Sequence, residues 1–181
     1  YEVGANFKVE KDNIFVAEFV AMDIEVTFNN DGGVNGATTL NVKYDATIAE
    51  LANVPTKVGY TFTGYYYGEV KYFNADGSVA EGKTTWDIAE AEVEMKAKYT
   101  ANTYTVVLDA NGGTNGTTIT VTYNEVPEKL TQLPSKTGYT FAGYKYGEEV
   151  FFDANGETTK TWTEPNGATM FAEWTNNTYY V

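Results

Sequence analysis

The chain contains no cysteine, no histidine and no arginine. Without the first two there is no thiol nucleophile, no imidazole base, no disulfide framework and no ordinary zinc site. Without arginine there is no guanidinium fork to clamp a phosphate or a carboxylate. Positive charge is scarce altogether: 12 lysines stand against 25 acidic residues, a formal net charge of -13. Such a surface repels a nucleic-acid backbone and an anionic lipid sheet alike, which argues against both as partners. No run of 18 apolar residues occurs, so nothing predicts insertion into a membrane. The opening YEVGANFKVE lacks the basic and apolar regions of a secretion signal, and the expectation is a segment cut from a longer polypeptide.

What is present is enough apolar matter to fold, 43% hydrophobic and 15% aromatic over 181 residues. The length suits one large domain or two small ones, and internal similarity chooses the second. GYTFTGYYYGE at Gly59 to Glu69 returns as GYTFAGYKYGE at Gly138 to Glu148, an offset of 79. The same offset carries Pro55 onto Pro134, Tyr44 onto Tyr123 and FNADG at Phe73 onto FDANG at Phe152. Farther along, KYTANTYTV at Lys98 matches EWTNNTYYV at Glu173, where the offset has fallen to 75. The changes of offset lie in Gly/Thr-rich stretches, where loops absorb insertions. A shift of 80 sets Phe15, Ala17 and Phe19 on Met95, Ala97 and Tyr99, and Phe7 falls near Trp86 and Trp162. Residues 1–22 therefore read as the tail of a preceding repeat, 23–100 and 101–175 as two full repeats, and 176–181 as a linker or the start of another.

Within each repeat, period-2 alternation predicts half-buried strands. Ile24, Val26 and Phe28 alternate with polar residues, as do Leu40, Val42 and Tyr44, and the second copy has Tyr104, Val106, Leu108 and then Ile119, Val121, Tyr123. Asp31-Gly32-Gly33 and Asn111-Gly112-Gly113 lie between them and suit a chain reversal with positive φ. Phe62 and Tyr65 are three apart and cannot share one face of a regular strand, so Gly64 and Gly143 predict a bulge. Val93, Met95, Ala97 and Tyr99 alternate with charged residues in a closing strand, and only four residues separate Tyr99 from Tyr104, which leaves little freedom between repeats. Thr47 to Ala52 places apolar groups at i, i+3 and i+4 behind a capping-box pattern, which predicts a short helix ended by Pro55; Leu130 and Leu133 keep the spacing ahead of Pro134. Strand, hairpin, strand, helix, strand, strand is the order of an α+β β-grasp.

A strand ending in NGG, then a proline, GYTFxGYY, a tryptophan in a Thr-rich stretch and a final MFAEWT resemble the Listeria-Bacteroides repeat, the B-repeat type of internalin B. The resemblance covers both repeats and the leading fragment. It implies tandem ubiquitin-like or SUMO-like β-grasp modules on an extracellular, cell-surface or secreted bacterial protein, with no shared catalytic residues and no cofactor. Tyr65 and Tyr144 stand where the family pattern has tryptophan, and Val58 and Thr137 where it has arginine.

Chemistry in the sequence is sparse. The carboxylates at Glu90, Glu92, Glu94, Glu148 and Glu149 read as solvated surface, since a glycosidase pair needs a cleft. Asp109 to Gly112 and Asp153 to Gly156 begin like calcium loops but lack the closing bidentate glutamate, and turn chemistry accounts for them. Tyr65, Tyr66, Tyr67 and Tyr72, with Tyr144 and Tyr146, are the candidate ligand-binding residues, able to form an aromatic platform of the kind that stacks on sugar rings. Against that, Tyr65 and Tyr67 recur in both copies, which favours packing within the core or between repeats, and the same logic assigns Trp86, Trp162 and Trp174 to the core first. The expected role is a non-catalytic stalk or spacer with a part in adhesion; the alternative is a module binding an unidentified protein or glycan, and neighbouring repeats are partners in either case.

Overall fold

A computed structural model describes residues 16–179. Phe7 and Phe15, on which part of the reading of 1–22 rests, lie outside the described residues, as do the last two of 176–181. The alternating stretches form strands as their periodicity requires. The first repeat consists of β1 (Asp23–Asn29), β2 (Thr39–Lys43), β3 (Tyr60–Tyr67), β4 (Val70–Asn74) and β5 (Glu92–Ala101). The second consists of β6 (Thr103–Asp109), β7 (Thr117–Thr122), β8 (Tyr139–Tyr146), β9 (Glu149–Phe152) and β10 (Ala168–Asn176). Each makes one mixed sheet, ordered β2-β1-β5-β3-β4 and β7-β6-β10-β8-β9. The first and last strands of each repeat run parallel, β1 with β5 and β6 with β10, while the other neighbours are antiparallel.

The expected α+β β-grasp of ubiquitin-like or SUMO-like type, with a helix in each repeat, is overturned: among the described residues there is no helix, and the architecture is all-β. The physical reason lies in the backbone partners of Thr47 to Ala52. Thr47 bridges to Thr85, the Ile48 N–H donates to the Thr84 carbonyl at 3.2 Å, and the Leu51 N–H to the Gly77 carbonyl at 2.9 Å. In the second copy the Leu130 N–H donates to the Gly156 carbonyl at 2.9 Å. A six-residue segment would gain few i→i−4 bonds after nucleation, and bonds to distant loops satisfy the same groups. The i, i+3 pattern is nonetheless used for burial, since Ile48 and Leu130 are both buried and Leu51 and Leu133 pack against the cores.

In β1 every second side chain points inward, so that Ile24, Val26 and Phe28 meet Val93, Met95 and Ala97 of β5. Tyr65 lies between Phe28 and Phe62 with ring centroids 4.8 and 5.0 Å away, both edge-on. The expected bulge sits between Phe62 and Gly64, where the pairing with β5 slips by one residue. Gly64 has φ +139°, and a Cβ there would stand 2.3 Å from the Phe73 carbonyl oxygen. Trp86 and Trp162 are enclosed in the two separate cores. Their indole N–H groups are buried and have no hydrogen-bond partner among the described residues.

The NGG motif has a packing cause. The Tyr99 hydroxyl donates to the Asn30 carbonyl at 2.8 Å, and in the second repeat the Trp174 indole N–H donates to the Ala110 carbonyl at 3.0 Å. Each bond ties the last strand to the loop after the first strand and brings the aromatic ring against the glycine behind it. A Cβ on Gly113 would lie 2.6 Å from both the Ser135 carbonyl oxygen and the Trp174 ring. Gly113→Ala is therefore expected to destabilise the second repeat by about 1–3 kcal/mol through overpacking. Urea unfolding followed by tryptophan fluorescence measures this, and an unchanged midpoint would mean that the loop yields freely.

Candidate functional site

The six candidate tyrosines do not share one exposed face. Tyr65 and Tyr144 lie deep in the two cores. The Tyr65 hydroxyl donates to the Asn30 side-chain oxygen, and burial, followed by the neighbouring Tyr99, pushes its pKa up to about 12. Burial and then the Asp109 charge likewise raise Tyr144. Tyr72 is buried against Trp86, with centroids 5.4 Å apart, and its hydroxyl donates to Asp87. Lys83 sits 4.4 Å above the Tyr72 ring and bridges Asp87 at 2.6 Å, which lowers the Asp87 pKa and raises its own. Tyr146 stacks obliquely on Trp162 at 5.5 Å, and the Tyr67 hydroxyl donates to Glu90. Tyr66 is half-buried, its ring flanked by the Lys98 and Lys71 ammonium groups at 4.5 and 5.5 Å. In the second repeat Lys145 takes the place of Tyr66 and bridges Glu173 at 3.4 Å.

The acidic turns are occupied by their own backbone. Asp153 accepts the N–H groups of Asn155 and Glu157, which holds its carboxyl below the usual range. Among the described residues no three carboxylates converge to hold a metal ion. A groove of about 490 Å³ beside β9 is lined by Lys129, Asp153, Glu157 and Lys160 among others. Its lysines are already paired, Lys129 with Glu157 at 2.8 Å and Lys160 with Glu149 at 2.7 Å. No helix of the described residues is long and apolar enough to cross a membrane.

The short spacing between Tyr99 and Tyr104 predicts a stiff joint between the repeats, but not the contacts that make it. A single residue, Asn102, separates β5 from β6. Its backbone N–H donates to the Gly59 carbonyl of the first repeat at 2.9 Å, and its carbonyl accepts from the Tyr123 N–H of the second at 2.9 Å. Its side-chain oxygen accepts from the Thr61 hydroxyl at 2.6 Å. The Tyr123 ring lies directly on Gly59, where a Cβ would come within 2.3 Å of the ring carbons, and meets the Tyr60 ring edge-on at 5.4 Å. Lys57 closes one side, 5.1 Å from the Tyr60 ring and 4.9 Å from that of Tyr99, while donating to the Asp31 carbonyl at 2.7 Å. Beside the Tyr123 ring runs a mainly apolar groove of about 680 Å³, lined by Val34, Pro55, Val58 and Phe62 among others. The available signal was the recurrence of Gly59, Asn102 and Tyr123 as Gly138, Asn177 and Tyr44, which alone does not separate joint from core.

Comparison with known proteins agrees with this architecture of repeats. Internalin H of Listeria monocytogenes serovar 1/2a is 35% identical over 133 residues, covering 68% of this chain and 20% of that protein. A protein of Evansella cellulosilytica named as a Gly-rich membrane protein is 26% identical over 174 residues, covering 96% of this chain and 19% of its own length. A second from that organism, named as a membrane protein, is 26% identical over 183 residues, with 97% of this chain and 25% of its own length covered. The chain thus spans a fifth to a quarter of the relatives it matches. No solved structure matches it. The profile of the Listeria-Bacteroides repeat domain matches residues 25–85 and again 104–145, one stretch in each sheet, and the chain belongs to that family.

Proposed function

We propose that this chain is a non-catalytic repeat segment of a bacterial cell-surface or secreted protein, acting as a semi-rigid spacer that carries other parts of that protein away from its point of attachment. The observation that carries the reading is Asn102, one residue bonded on one side to Gly59 and on the other to Tyr123. A linker of several free residues would let the repeats tumble apart; one residue with its N–H and carbonyl both engaged does not. The names of the relatives, an internalin and two membrane proteins, support a place at the cell surface. Excess negative charge suits an extended chain of like modules, because neighbouring sheets repel rather than collapse on one another. A ligand-binding role for the tyrosines has less behind it, with Tyr65, Tyr72 and Tyr144 enclosed and Tyr66 replaced by lysine in the second repeat.

Residual dipolar couplings on the intact chain test the spacer. Both repeats are expected to share one alignment tensor, and Tyr123→Ala is expected to split it in two while leaving each sheet folded. Two unrelated tensors in the unsubstituted chain would remove the reading.

A further inference from the structure

The joint is built twice, but the described residues fill it once. At the far end of the second repeat, Asn177 repeats every bond that Asn102 makes to the sheet before it. Its N–H donates to the Gly138 carbonyl at 2.9 Å, and its side-chain oxygen accepts from the Thr140 hydroxyl at 2.6 Å. Its side-chain amide points to the Tyr179 hydroxyl at 3.5 Å, as that of Asn102 does to Tyr104 at 3.4 Å. The lysine wall is in place as well, with Lys136 4.6 Å from the Tyr139 ring and 5.7 Å from that of Trp174. What differs is the occupant. Gly59 is buried under Tyr123, whereas a Cβ on Gly138 would meet nothing within 4 Å, and Tyr139 is 38% exposed.

The matching knob stands at the opposite end of the chain. The Tyr44 N–H donates to the Met22 carbonyl at 3.0 Å, as the Tyr123 N–H does to Asn102, so Met22 occupies the joint position ahead of β1. Tyr44 is 37% exposed and lies in an apolar groove with Phe19, Val20 and Met22. Each repeat therefore carries a tyrosine knob at its front and a glycine socket at its back.

We infer that the face of Gly138, Tyr139 and Lys136 is a docking socket for a further repeat of this same kind, joined after Asn177, whose tyrosine at the Tyr123 position closes on Gly138. The inference rests on the spacer reading and adds to it the surface and the partner. Continuity with the joint at Gly59 identifies the occupant: the socket has the same glycine, the same lysine-flanked tyrosine and the same asparagine bonds, so it accepts the same ring. Contact in cis supplies the local concentration that so small a surface needs, so free copies of the chain are not required to associate.

The test is a three-repeat chain in which residues 1–176 are followed by a second copy of 102–181. The Gly138 α-proton resonances are expected to move upfield toward those of Gly59, under the ring of the added tyrosine, and the second and third repeats to share one alignment tensor. Tyr→Ala at the added copy of position 123 should return the Gly138 signals to their two-repeat positions, and Tyr139→Ala should loosen the new joint without altering the melting of the two-repeat chain. Unmoved Gly138 signals and a third repeat that aligns independently, while the first two still align together, would overturn the socket alone. Independent alignment at both joints would overturn the spacer reading and the socket with it.

Discussion

Trp86→Ala is expected to cost the first repeat about 3–5 kcal/mol and to leave it largely unfolded at ambient temperature. The side chain is fully enclosed, its ring packs 5.4 Å from Tyr72, and its backbone joins two connections that no regular strand holds. The Trp86 N–H donates to the Ala46 carbonyl and its own carbonyl accepts from the Asp45 N–H, both at 2.9 Å. Removing the indole empties the space beneath that crossing. A module of about 80 residues has roughly 4–12 kcal/mol of stability in total, so the loss takes a large share of it. Trp86→Phe should cost less than half as much, because the discarded indole N–H has no partner to lose. Trp162→Ala should do the same to the second repeat, where the Trp162 N–H donates to Glu125 at 2.9 Å and its carbonyl accepts from Asn124 at 2.7 Å. Amide spectra recorded through a thermal ramp separate the outcomes. The two clusters are distinct, so resonances of Val106, Leu108 and Met170 should persist after those of Val26 and Met95 have collapsed. Simultaneous collapse of both sets in Trp86→Ala would mean that the joint couples folding as well as orientation.

The strands were legible because each has one wet and one dry face, and period-2 alternation records that directly. Ile24, Val26 and Phe28 could belong to nothing else, and the clash of period at Phe62 and Tyr65 announced the bulge that the sheet shows at Gly64. The helix failed for the opposite reason. Ile48 and Leu51 have helical spacing, but two apolar anchors three apart bury equally well in an irregular segment pinned from outside, and periodicity carries no information about the Thr84 and Gly77 carbonyls that receive their N–H groups. The short spacing announced a stiff joint, but its contacts were invisible for a related reason. Repetition shows that Gly59 and Tyr123 each recur, yet it does not show that the glycine of one repeat lies beneath the tyrosine of the next, because that contact crosses the boundary along which the copies are aligned. Positions shared by two copies can equally be core within a copy or contact between copies, and only the spatial structure separates Tyr65 from Tyr123.

Alkaline pH is expected to dismantle the same cores from within. The folded state holds the Tyr65 proton up to about 12, chiefly because burial disfavours the phenolate, whereas the unfolded chain releases it near the ordinary value of 10.0. The folded form therefore binds the proton more tightly, and stability falls as pH rises. The contribution is complete below the unfolded value, declines between about 10 and 12, and is gone above that range. The difference corresponds to about 3 kcal/mol at Tyr65. Burial raises Tyr144, Tyr72 and Tyr99 in the same direction, so both repeats are affected. Tyrosinate absorbance and the β-sheet signal in circular dichroism, followed together up the pH scale, should show ionisation of the buried phenols as a steep phase coinciding with loss of the sheet. Tyr65→Phe is the informative variant. It forfeits the hydrogen bond to Asn30, at a cost of about 1 kcal/mol near neutrality, yet removes one phenolate from the core and should shift the alkaline midpoint of the first repeat upward relative to its neutral stability. If every tyrosine ionised reversibly with the sheet intact, Tyr65 would have a path to water that its packing between Phe28 and Phe62 denies it, and the link between phenol ionisation and loss of the sheet would fail.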